Sequence, residues 1–424
     1  MDSQKVLVLG TGKSGICAAK QILQLGGQVV LFDSNEKLDT VKVMKNFRKR
    51  DRISLVVGEL KPTDLVSVDL AVISPGIPLD KPFVKLIDGA KIPIWGEIEL
   101  AYQSSKGKLA AVTGTNGKTT TVSLIGDIFK TTYDDTHICG NIGNPFTAEA
   151  LETTDASATI LEVSSFQLET IMDFHPHVSC ITNITPDHLD RHKTMKNYVK
   201  VKESIALNQT EEDFIVLNYE DPELRKFGKR KTLKPQVIWF SSAHELKDGF
   251  YYKNFEIHHA HDGEDEVLLD VRDTNLLGAH NYENIMCAIA VSVEMGVPMQ
   301  KIIAAVKKFR PVEHRIEFVR ERNGVRYYND SKGTNPDAAI KALLAMPGPV
   351  VLIGQTRNII AECAKKYGFT NVMFAEDMDE AVKDCAAYAD EGDYVLLSPA
   401  CASWGMFPNY EERGRIFKEC VKNL

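Results

Sequence analysis

The stretch that decides the fold is LAAVTGTNGKTTTVSL, Leu109–Leu124. It begins as an apolar run, passes through a glycine turn and continues as a segment that predicts a helix. Such a turn aims successive backbone N–H groups at one point, which suits a phosphate. The spacing Gly114-x-x-Gly117-Lys118-Thr119 is two residues shorter than the usual loop, because Val112 stands where the first glycine would be. We expect Lys118 to contact the β- and γ-phosphates of a nucleoside triphosphate and Thr119 to hold Mg²⁺. A helix cap without a ligand is the alternative.

Size and composition indicate a multidomain globular protein. The chain has 424 residues, which is more than one hydrophobic core usually organises, so two or three domains are expected. With 44% hydrophobic and 25% charged residues it is expected to be soluble. The eight cysteines form no C-x-x-C pair, and the N-terminus enters a strand directly, so free thiols and a cytoplasmic location are predicted. The net charge of −8 argues against nonspecific nucleic-acid binding.

A second glycine turn stands near the N-terminus. Lys5–Leu9 predicts a strand, followed by the turn Gly10–Gly15, a helix, and a second strand that ends at Asp33. This arrangement, with an acid after the second strand, is typical of a site for a diphosphate and a ribose. It does not specify the nucleotide, and a tight turn without a ligand is the alternative. A further strand that ends in Ser74-Pro75-Gly76 extends the predicted parallel sheet.

Polar residues follow apolar runs in the middle of the chain. Glu162 ends the run Thr159–Val163, where an acid could reach Mg²⁺, although a polar residue of an edge strand is the alternative. His188 follows another strand and is flanked by acids, so it could ligate a metal or orient a phosphate. Lys202 lies on a predicted helix, and from the pattern alone it is a surface lysine. Asp270–Leu277 predicts one more strand.

The last part of the chain predicts another strand–turn–helix unit. Val325–Asn329 is strand-like, 330–335 is a polar turn, and Asn335-Pro336-Asp337 opens a helix with a cap and a proline at its first position. An anion site and a well-capped loop are equally compatible with this pattern. Asp393–Leu397 predicts a final buried strand.

Eight motifs together resemble the Mur ligase family, ATP-dependent amide-forming enzymes of peptidoglycan synthesis. They are Thr113-Gly-Thr-Asn-Gly-Lys-Thr119, Gly140-Asn-Ile-Gly143, Leu161-Glu-Val-Ser-Ser-Phe-Gln-Leu-Glu169, Asp187-His-Leu-Asp-Arg191, His280-Asn281, Glu313-His-Arg315, Asn329-Asp-Ser-Lys-Gly-Thr-Asn335 and Ser398-Pro-Ala-Cys-Ala-Ser403. The resemblance implies an α/β protein of three domains. These are a Rossmann-like UDP-sugar domain at 1–95, a central P-loop-type ATPase domain with a mostly parallel sheet at 96–311, and a Rossmann-like domain at 312–424 that binds the amino acid and part of ATP.

The resemblance also implies a reaction, the ATP-dependent addition of D-glutamate to UDP-N-acetylmuramoyl-L-alanine through an acyl phosphate. ATP and two Mg²⁺ ions are expected, with Lys202 carbamylated so that an ammonium becomes an oxygen ligand. A cytoplasmic monomer without nucleic-acid or membrane partners is expected.

The implied sites cover all three domains. The catalytic residues are Lys118, Glu162, His188, Lys202 and Arg315. The metal ligands are Thr119, Glu162, His188 and Lys202. The ATP contacts are Gly114, Thr115, Asn116, Gly117, Lys118, Thr119, Thr120, Asn281, Asn284, Arg315, Asp330 and Lys332. The UDP-substrate contacts are Gly10, Lys13, Ser14, Gly15, Asp33, Ser34, Gly76, Asn141 and His188. The amino-acid contacts are Thr334, Arg357, Ser403, Trp404 and Tyr410.

One stretch departs from the family pattern. After Val350–Ile353 the D-glutamate ligases of the family often carry a Gly-Gly-x-x-Lys-like stretch, whereas this chain reads Gly354-Gln355-Thr356-Arg357. Arg357 could replace the lysine, since a guanidinium forks well onto a carboxylate. A related ligase with a different amino acid or a folate substrate is therefore an alternative. An NAD-binding oxidoreductase or regulator is another, although it leaves Lys118 and Thr119 without a role.

Overall fold

The computed structural model describes residues 2–276, 278–310, 313–314, 317–333, 350–354, 357–366, 371–399, 403 and 405–424. By backbone proximity the chain divides into two compact units. The first comprises Met1–Lys253, His258–Leu268 and Asn284–Val306, and the second comprises Asn254–Ile257, Leu269–Glu283 and Lys307–Leu424. The predicted domains 1–95 and 96–311 thus fall largely within the first unit, and their boundaries stay a prediction.

The first sheet is parallel and has the order β3-β2-β1-β4-β5. Its strands are β1 Lys5–Leu9, β2 Gln28–Asp33, β3 Ile53–Val57, β4 Leu70–Ile73 and β5 Ile94–Gly96, and its helices are α1 Lys13–Gln24, α2 Thr40–Met44, α3 Pro82–Gly89 and α4 Glu97–Tyr102. Val6 and Val8 of β1 pack into one core, and Leu7 and Leu9 pack into another. Apolar cores thus form on both faces, which explains why β1 is a continuous apolar run.

The second sheet carries the glycine turn at Gly114–Thr119. Its strands are β6 Lys108–Thr113, β7 Thr136–Gly140, β8 Ala158–Glu162, β9 Val178–Ile181, β10 Phe214–Asn218, β11 Gln236–Ser241, β12 Gly249–Lys253, β13 Glu256–His261 and β14 Glu264–Asp270, in the order β14-β13-β12-β11-β10-β9-β6-β8-β7. The helices of this part are α5 Lys118–Phe129, α6 Phe146–Glu149, α7 Ser165–Leu168, α8 Leu189–His192, α9 Met195–Glu203, α10 Pro222–Gly228, α11 Ala279–Glu294 and α12 Met299–Lys308.

Strand β6 lies between β8 and β9 and is parallel to both. The carboxyl ends of the three strands therefore meet at one edge of the sheet, where ligands of parallel sheets bind. The register pairs Val112 with Glu162, so the carboxylate stands beside the start of the glycine turn.

Arg191 ties the two sheets of the first unit together. Its guanidinium donates to the carbonyl oxygens of Pro75 at 2.9 Å and Ile77 at 3.1 Å. Its Nε donates to Glu169 Oε2 at 3.1 Å. Lys13 adds a second tie, since its Nζ donates to the carbonyl oxygen of Gly143 at 2.7 Å. These bonds hold the first sheet and the second sheet at a defined spacing.

The second unit contains two small sheets in the residues described. Strands β15 Glu317–Arg322, β16 Val325–Asn329 and β19 Tyr394–Leu397 form the order β15-β16-β19, while β17 Val350–Leu352 pairs with β18 Val372–Phe374. Helices α13 Arg357–Lys366, α14 Met378–Tyr388 and α15 Tyr410–Asn423 complete the described part. The core combines strand residues such as Val325, Tyr327 and Val395 with Phe417 and Val421 of α15.

Two sequence predictions are tested by the fold, one on the cysteines and one on the strand Asp270–Leu277. Cysteines 17, 139, 180, 287, 385 and 420 lie outside any disulfide in the described part of the chain, in agreement with the prediction. None of the helices in the described ranges is long and apolar enough to span a membrane. The predicted strand Asp270–Leu277 is wrong, because Val271–Asp273 form a 3₁₀ turn capped by the Asp270 side chain.

Candidate active site

The glycine turn after β6 has the geometry that its sequence predicts. Gly114 has φ 143° and Gly117 has φ 87°, values that favour glycine. A Cβ at Gly114 would lie 1.9 Å from Thr182 Oγ1, and one at Gly117 would lie 2.3 Å from Asn284 Oδ1. Both positions thus require glycine for space as well as for backbone conformation. The turn leads directly into α5, whose first residue is Lys118.

Two lysines meet at this turn. Lys118 Nζ donates to the carbonyl oxygens of Gly114 and Thr115, each at 2.9 Å. Lys202 Nζ donates to the same Gly114 oxygen at 2.8 Å. The Lys202 side chain is only 1% exposed, so the reading as a surface lysine is wrong. Burial, followed by the charge of Lys118, lowers the pKa of Lys202 well below the usual 10.5, which favours a neutral amine.

A buried carboxylate connects the turn to a neighbouring loop. Glu162 is 3% exposed, and its Oε2 accepts a hydrogen bond from Thr119 Oγ1 at 2.8 Å. Its Oε1 accepts from Asn141 Nδ2 at 2.7 Å. The hydroxyl and the carboxylate form an oxygen pair of the kind that Mg²⁺ prefers, beside the turn that would hold the phosphates. The predicted roles of Thr119 and Glu162 fit this geometry.

Asn141 also faces a cavity of about 510 Å³ that begins at the N-terminal glycine turn. Its lining includes these predicted residues: Gly10, Lys13, Ser14, Asp33, Ser34, Gly76 and Asn141. Asp33 is fixed there, because its Oδ2 accepts from the Thr11 backbone N–H at 3.1 Å. The Ser74 hydroxyl is buried at this cavity and has no hydrogen-bond partner in the described part of the chain. A volume of this size suits a nucleotide-sized ligand, and the Ser74 oxygen suits a polar one.

Gly15 and His188 differ from the other predicted substrate contacts. A Cβ at Gly15 would lie 1.9 Å from the Gly10 carbonyl oxygen, so Gly15 shapes the turn itself. His188 has φ 52° and precedes α8. Its ring lies 4.9 Å from the Phe166 ring, and its Nε2 is 3.7 Å from Asp187 Oδ2. The predicted metal role of His188 stays a prediction.

Several residues at the turn were missed by the sequence analysis. Asn183 Oδ1 accepts from the Asn116 backbone N–H at 2.9 Å, and Thr182 Oγ1 donates to the Asn116 carbonyl oxygen at 2.6 Å. Tyr198 Oη lies 3.0 Å from Thr115 Oγ1. Burial raises the pKa of Tyr198 to about 12, so it stays a neutral phenol. A polar pair directly after an apolar strand was the available signal for Thr182 and Asn183.

The second unit has its own polar turn after β16. Asp330 is buried, and its Oδ2 accepts from the Ser398 hydroxyl at 3.4 Å. Lys332 Nζ lies 5.8 Å from the centre of the Tyr410 ring, and Ser403 is buried. Arg315, Thr334, Trp404 and the predicted helix start at Asn335 lie outside the described residues. Asn281, also in this unit, is buried.

Arg357 has partners within the chain. Its Nη1 donates to the Ala375 carbonyl oxygen and to Glu376 Oε1, both at 3.0 Å. A carboxylate of a bound amino acid would compete with Glu376. The proposed replacement of a lysine by Arg357 stays a prediction.

Arg413 stabilises the polar turn after β16 through hydrogen bonds to Ser331. This guanidinium is 3% exposed, and it donates to Ser331 Oγ at 3.0 Å and to the Ser331 carbonyl oxygen at 2.7 Å. The next residue, Gly414, packs so closely that a Cβ would lie 2.2 Å from His314 Nδ1. Asn329 Nδ2 lies 2.8 Å from the same His314 nitrogen. No sequence pattern predicted a role for Arg413 or Gly414.

One cluster of possible metal ligands has a cation of the chain beside it. Ligand atoms of Glu313, His314 and Glu317 lie within 4.8 Å of one another. The Lys418 ammonium forms ion pairs with both Glu313 and Glu317, the latter at 3.0 Å. The chain thus supplies one cation to the two carboxylates of this cluster.

Comparison with protein-family models shows the family to which the chain belongs. Residues 4–96 match the model "Mur ligase MurD-like, N-terminal domain", and residues 112–292 match the model "Mur ligase middle domain". The chain belongs to the Mur ligase family. The expected α/β fold of three domains, with Rossmann-like ends and a P-loop-type centre, is confirmed.

Curated relatives define the branch of the family. The protein of Lachnospira eligens named UDP-N-acetylmuramoylalanine--D-glutamate ligase is 48% identical over 100% of both chains. The protein of the same name from Clostridioides difficile is 39% identical over 100% of this chain and 99% of that protein.

Solved structures agree on the fold. The MurF ligase of Thermotoga maritima in complex with ADP has a TM-score of 0.58 at 17% identity, covering 100% of this chain and 96% of that one. The pseudomurein peptide ligase type C of Methanothermus fervidus has a TM-score of 0.58 at 18% identity, covering 99% and 100%. At such low identity these structures support the fold alone.

Proposed function

We propose that this chain is an ATP-dependent ligase that adds D-glutamate to UDP-N-acetylmuramoyl-L-alanine during peptidoglycan precursor synthesis in the cytoplasm. The observation that carries the proposal is Glu162, which bonds to Thr119 at the phosphate turn and to Asn141 at the cavity. One carboxylate thus joins two sites that suit a triphosphate and a nucleotide-linked substrate. The names of the relatives supply the identity of both substrates.

The residues of the turn suit ATP. Gly114 and Gly117 allow the positive φ angles of the turn, and the start of α5 directs backbone N–H groups toward the phosphates. The Lys118 ammonium would leave the carbonyl oxygens of its own turn and neutralise charge that develops on the transferred phosphoryl group. Thr119 and Glu162 would hold one Mg²⁺, which supplies further charge neutralisation when bound. Asn284, Asn281, Asp330, Lys332 and Arg315 are the remaining proposed ATP contacts.

Lys202 suits carbamylation because it is buried and favours the neutral amine. Only a neutral amine attacks CO₂, forming an N–C bond and releasing one proton. The product is an anionic oxygen ligand that would serve a second Mg²⁺ together with His188. Its negative charge would attract the Lys118 ammonium.

The proposed reaction has two steps. The L-alanine carboxylate attacks the γ-phosphorus of ATP, so that ADP leaves and an acyl phosphate forms. The amine of D-glutamate then attacks the acyl carbon, and phosphate leaves with its bonding electrons. Exclusion of water protects the acyl phosphate between these steps. The proposed amino-acid contacts are Thr334, Arg357, Ser403, Trp404 and Tyr410, and a monomer suffices for this scheme.

The test measures phosphate release with UDP-N-acetylmuramoyl-L-alanine, ATP and a panel of amino acids that includes both glutamate enantiomers. We expect release only when the UDP substrate and D-glutamate are both present. Lys118→Ala should lower kcat about 10³-fold. Release without an amino acid, turnover of a folate substrate, or NAD binding without ATP binding would refute the proposal.

A further inference from the structure

The loop after β4 forms part of the wall of the cavity at the N-terminal glycine turn. Ser74, Pro75, Gly76 and Ile77 all line this cavity. The Ile77 backbone N–H donates to the Ser74 carbonyl oxygen at 3.0 Å, so these four residues form a β-turn whose central peptide joins Pro75 to Gly76. The orientation of that peptide decides which of its polar groups faces the cavity.

The observed form of this β-turn is not the one that its sequence favours. Proline followed by glycine at the two central positions is typical of a type II turn, in which the glycine has a positive φ. Gly76 is not among the glycines with positive φ, so the turn is not of type II. Types I and II differ by roughly a half-turn of the central peptide. A contact outside the turn can therefore select the observed orientation.

Arg191 supplies such a contact. Its Nη1 donates to the Pro75 carbonyl oxygen at 2.9 Å, and its Nη2 donates to the Ile77 carbonyl oxygen at 3.1 Å. The C=O and N–H groups of a trans peptide point in opposite directions, so the Gly76 N–H points away from Arg191. This N–H makes no hydrogen bond to another residue in the described part of the chain, and a Cβ at Gly76 would meet nothing within 4 Å. The N–H is thus available to a ligand in the cavity.

Further contacts fix the Arg191 side chain. Its Nε donates to Glu169 Oε2 at 3.1 Å, and its Nη2 donates to the same oxygen. Its Cζ lies 4.4 Å from the centre of the Phe166 ring. The planar guanidinium is therefore held both at its edges and against one face, which gives the two carbonyl oxygens donors at defined positions.

The Glu169 carboxylate is itself held by a buried histidine. Nδ1 of His192 lies 3.4 Å from Glu169 Oε1, and its Nε2 lies 3.0 Å from Ser165 Oγ. Ser165 is the first residue of α7, and Glu169 is the residue that ends this helix. A continuous series of contacts thus leads from α7, beside the second sheet, to the β-turn of the first sheet.

We propose that Arg191, held by Glu169, keeps the Pro75–Gly76 peptide turned so that the Gly76 N–H donates to the diphosphate of the UDP substrate. The identity of this ligand rests on the function proposed above. The N-terminal glycine turn lines the same cavity and suits a diphosphate, and a backbone N–H bonds strongly to an anionic oxygen. Arg191 is not among the residues that line the cavity, so it acts through the turn as a positioning residue.

The first test measures the affinity for UDP-N-acetylmuramoyl-L-alanine by calorimetric titration of the parent and of Arg191→Lys. Lysine keeps the positive charge beside Glu169 but lacks the rigid fork that reaches two carbonyl oxygens and a carboxylate together. We expect the Kd for the UDP substrate to rise about tenfold, and the Kd for a nonhydrolysable ATP analogue to change less than about threefold.

Arg225→Lys is the matched control. Arg225 also donates to a backbone carbonyl oxygen, that of Tyr219, and its Cζ lies 5.4 Å from the centre of the Tyr219 ring. Tyr219 does not line the cavity, so both Kd values should stay within about twofold of the parent. Glu169→Gln is a second variant, which leaves Arg191 in place and weakens its ion pair. The Kd for the UDP substrate should rise about threefold in this variant.

Gly76→Ala distinguishes peptide orientation from a general loss of structure. Alanine disfavours the positive φ of a type II turn, so it keeps the observed form of the turn without help from Arg191. Whatever Gly76→Ala does to affinity by itself, Arg191→Lys should then raise the Kd for the UDP substrate by about threefold or less instead of about tenfold. The four variants of this double-mutant cycle are compared by the same titration.

Each outcome decides between the proposals. An unchanged Kd in both Arg191→Lys and Glu169→Gln overturns the positioning role, and an equal rise with and without Gly76→Ala overturns the peptide orientation. If the parent binds the UDP substrate but releases no phosphate with ATP and D-glutamate, the proposed function fails, and the role of Arg191 is decided by affinity alone. A parent that does not bind the UDP substrate overturns both proposals.

Discussion

The two glycines Gly12 and Gly15 of the N-terminal turn differ in whether the structure can accept an added Cβ. Gly12 and Gly15 are three residues apart, yet a Cβ at Gly12 would meet nothing within 4 Å, whereas one at Gly15 would collide with the Gly10 carbonyl oxygen. The sequence motif requires glycine at both positions, but it does not show why each position needs one. The structure assigns Gly15 to the fold of the turn and leaves Gly12 facing the cavity.

Gly15→Ala should therefore destabilise the first unit by about 3 kcal/mol or more, since backbone must move to accept the methyl group. Gly12→Ala, its matched control, should unfold within about 0.5 kcal/mol of the parent and raise only the KM for the UDP substrate. Urea denaturation and steady-state kinetics measure the two effects. Equal stability of the two variants would contradict the assignment.

A second prediction at the residue scale concerns Lys202. Because its pKa is lowered on folding, the unfolded chain binds more protons than the folded chain between the two pKa values. Stability therefore rises with pH across that range, and below it the burial of this lysine costs the most. Lys202→Met should raise the melting temperature at neutral pH while abolishing turnover, and the gain should shrink as pH approaches 10.5.

Melting curves of Lys202→Met and the parent between pH 7 and 10 provide the measurement. Lys200→Met is the control, since Lys200 is exposed on the same helix. A gain that is constant with pH would contradict the linkage.

The sequence predicts the positions of some of these residues but not the burial of others. Thr119 and Glu162 follow from the order strand, turn, helix, because that order alone fixes what stands at the edge of a parallel sheet. The burial of Lys202 does not, because it depends on a contact between α9 and a turn 88 positions away. No local pattern contains that contact.

At the scale of elements, helix α15 packs against the polar turn of the second unit and stabilises it. Its Arg413 holds Ser331, and its Gly414 sits against His314 and Asn329. The helix thereby supports the turn with Asp330 and Lys332 without contributing either residue. Sequence patterns predicted the strands around this turn, whereas the close packing of a helix against it depends on contacts between residues 82 positions apart, which no local pattern contains.

Gly414→Ala should lower stability by about 1–3 kcal/mol, because its methyl group would lie 2.2 Å from His314 Nδ1 and that overlap outweighs the better helix propensity of alanine. Gly89→Ala is the matched control, because Gly89 is a helical glycine at which an added Cβ would meet nothing within 4 Å. Denaturant midpoints compare the two. A neutral Gly414→Ala would show that α15 does not pack tightly on His314.

At the scale of the whole molecule, the first unit joins two ligand sites through one carboxylate. Asn141 lines the cavity, and Thr119 lies at the phosphate turn. The Glu162 carboxylate accepts a hydrogen bond from each of them. Binding at either site should then change affinity at the other by the same factor, as linkage requires.

Asn141→Ala should reduce this coupling factor to about one, from a value of about 5 or more in the parent. Calorimetric titration of a nonhydrolysable ATP analogue, with and without the UDP substrate, measures it. Asn144→Ala is the control, because Asn144 is exposed in the same loop and bonds to Glu149 instead. Unchanged coupling in Asn141→Ala would show that Glu162 does not transmit it.

The ties through Arg191 and Lys13 have a consequence for inhibitor chemistry. Since hydrogen bonds fasten the first sheet to the second, the protein sets the distance from the cavity at the N-terminal glycine turn to the glycine turn after β6. A compound that spans both could carry a stiff connector and would then lose little entropy on binding.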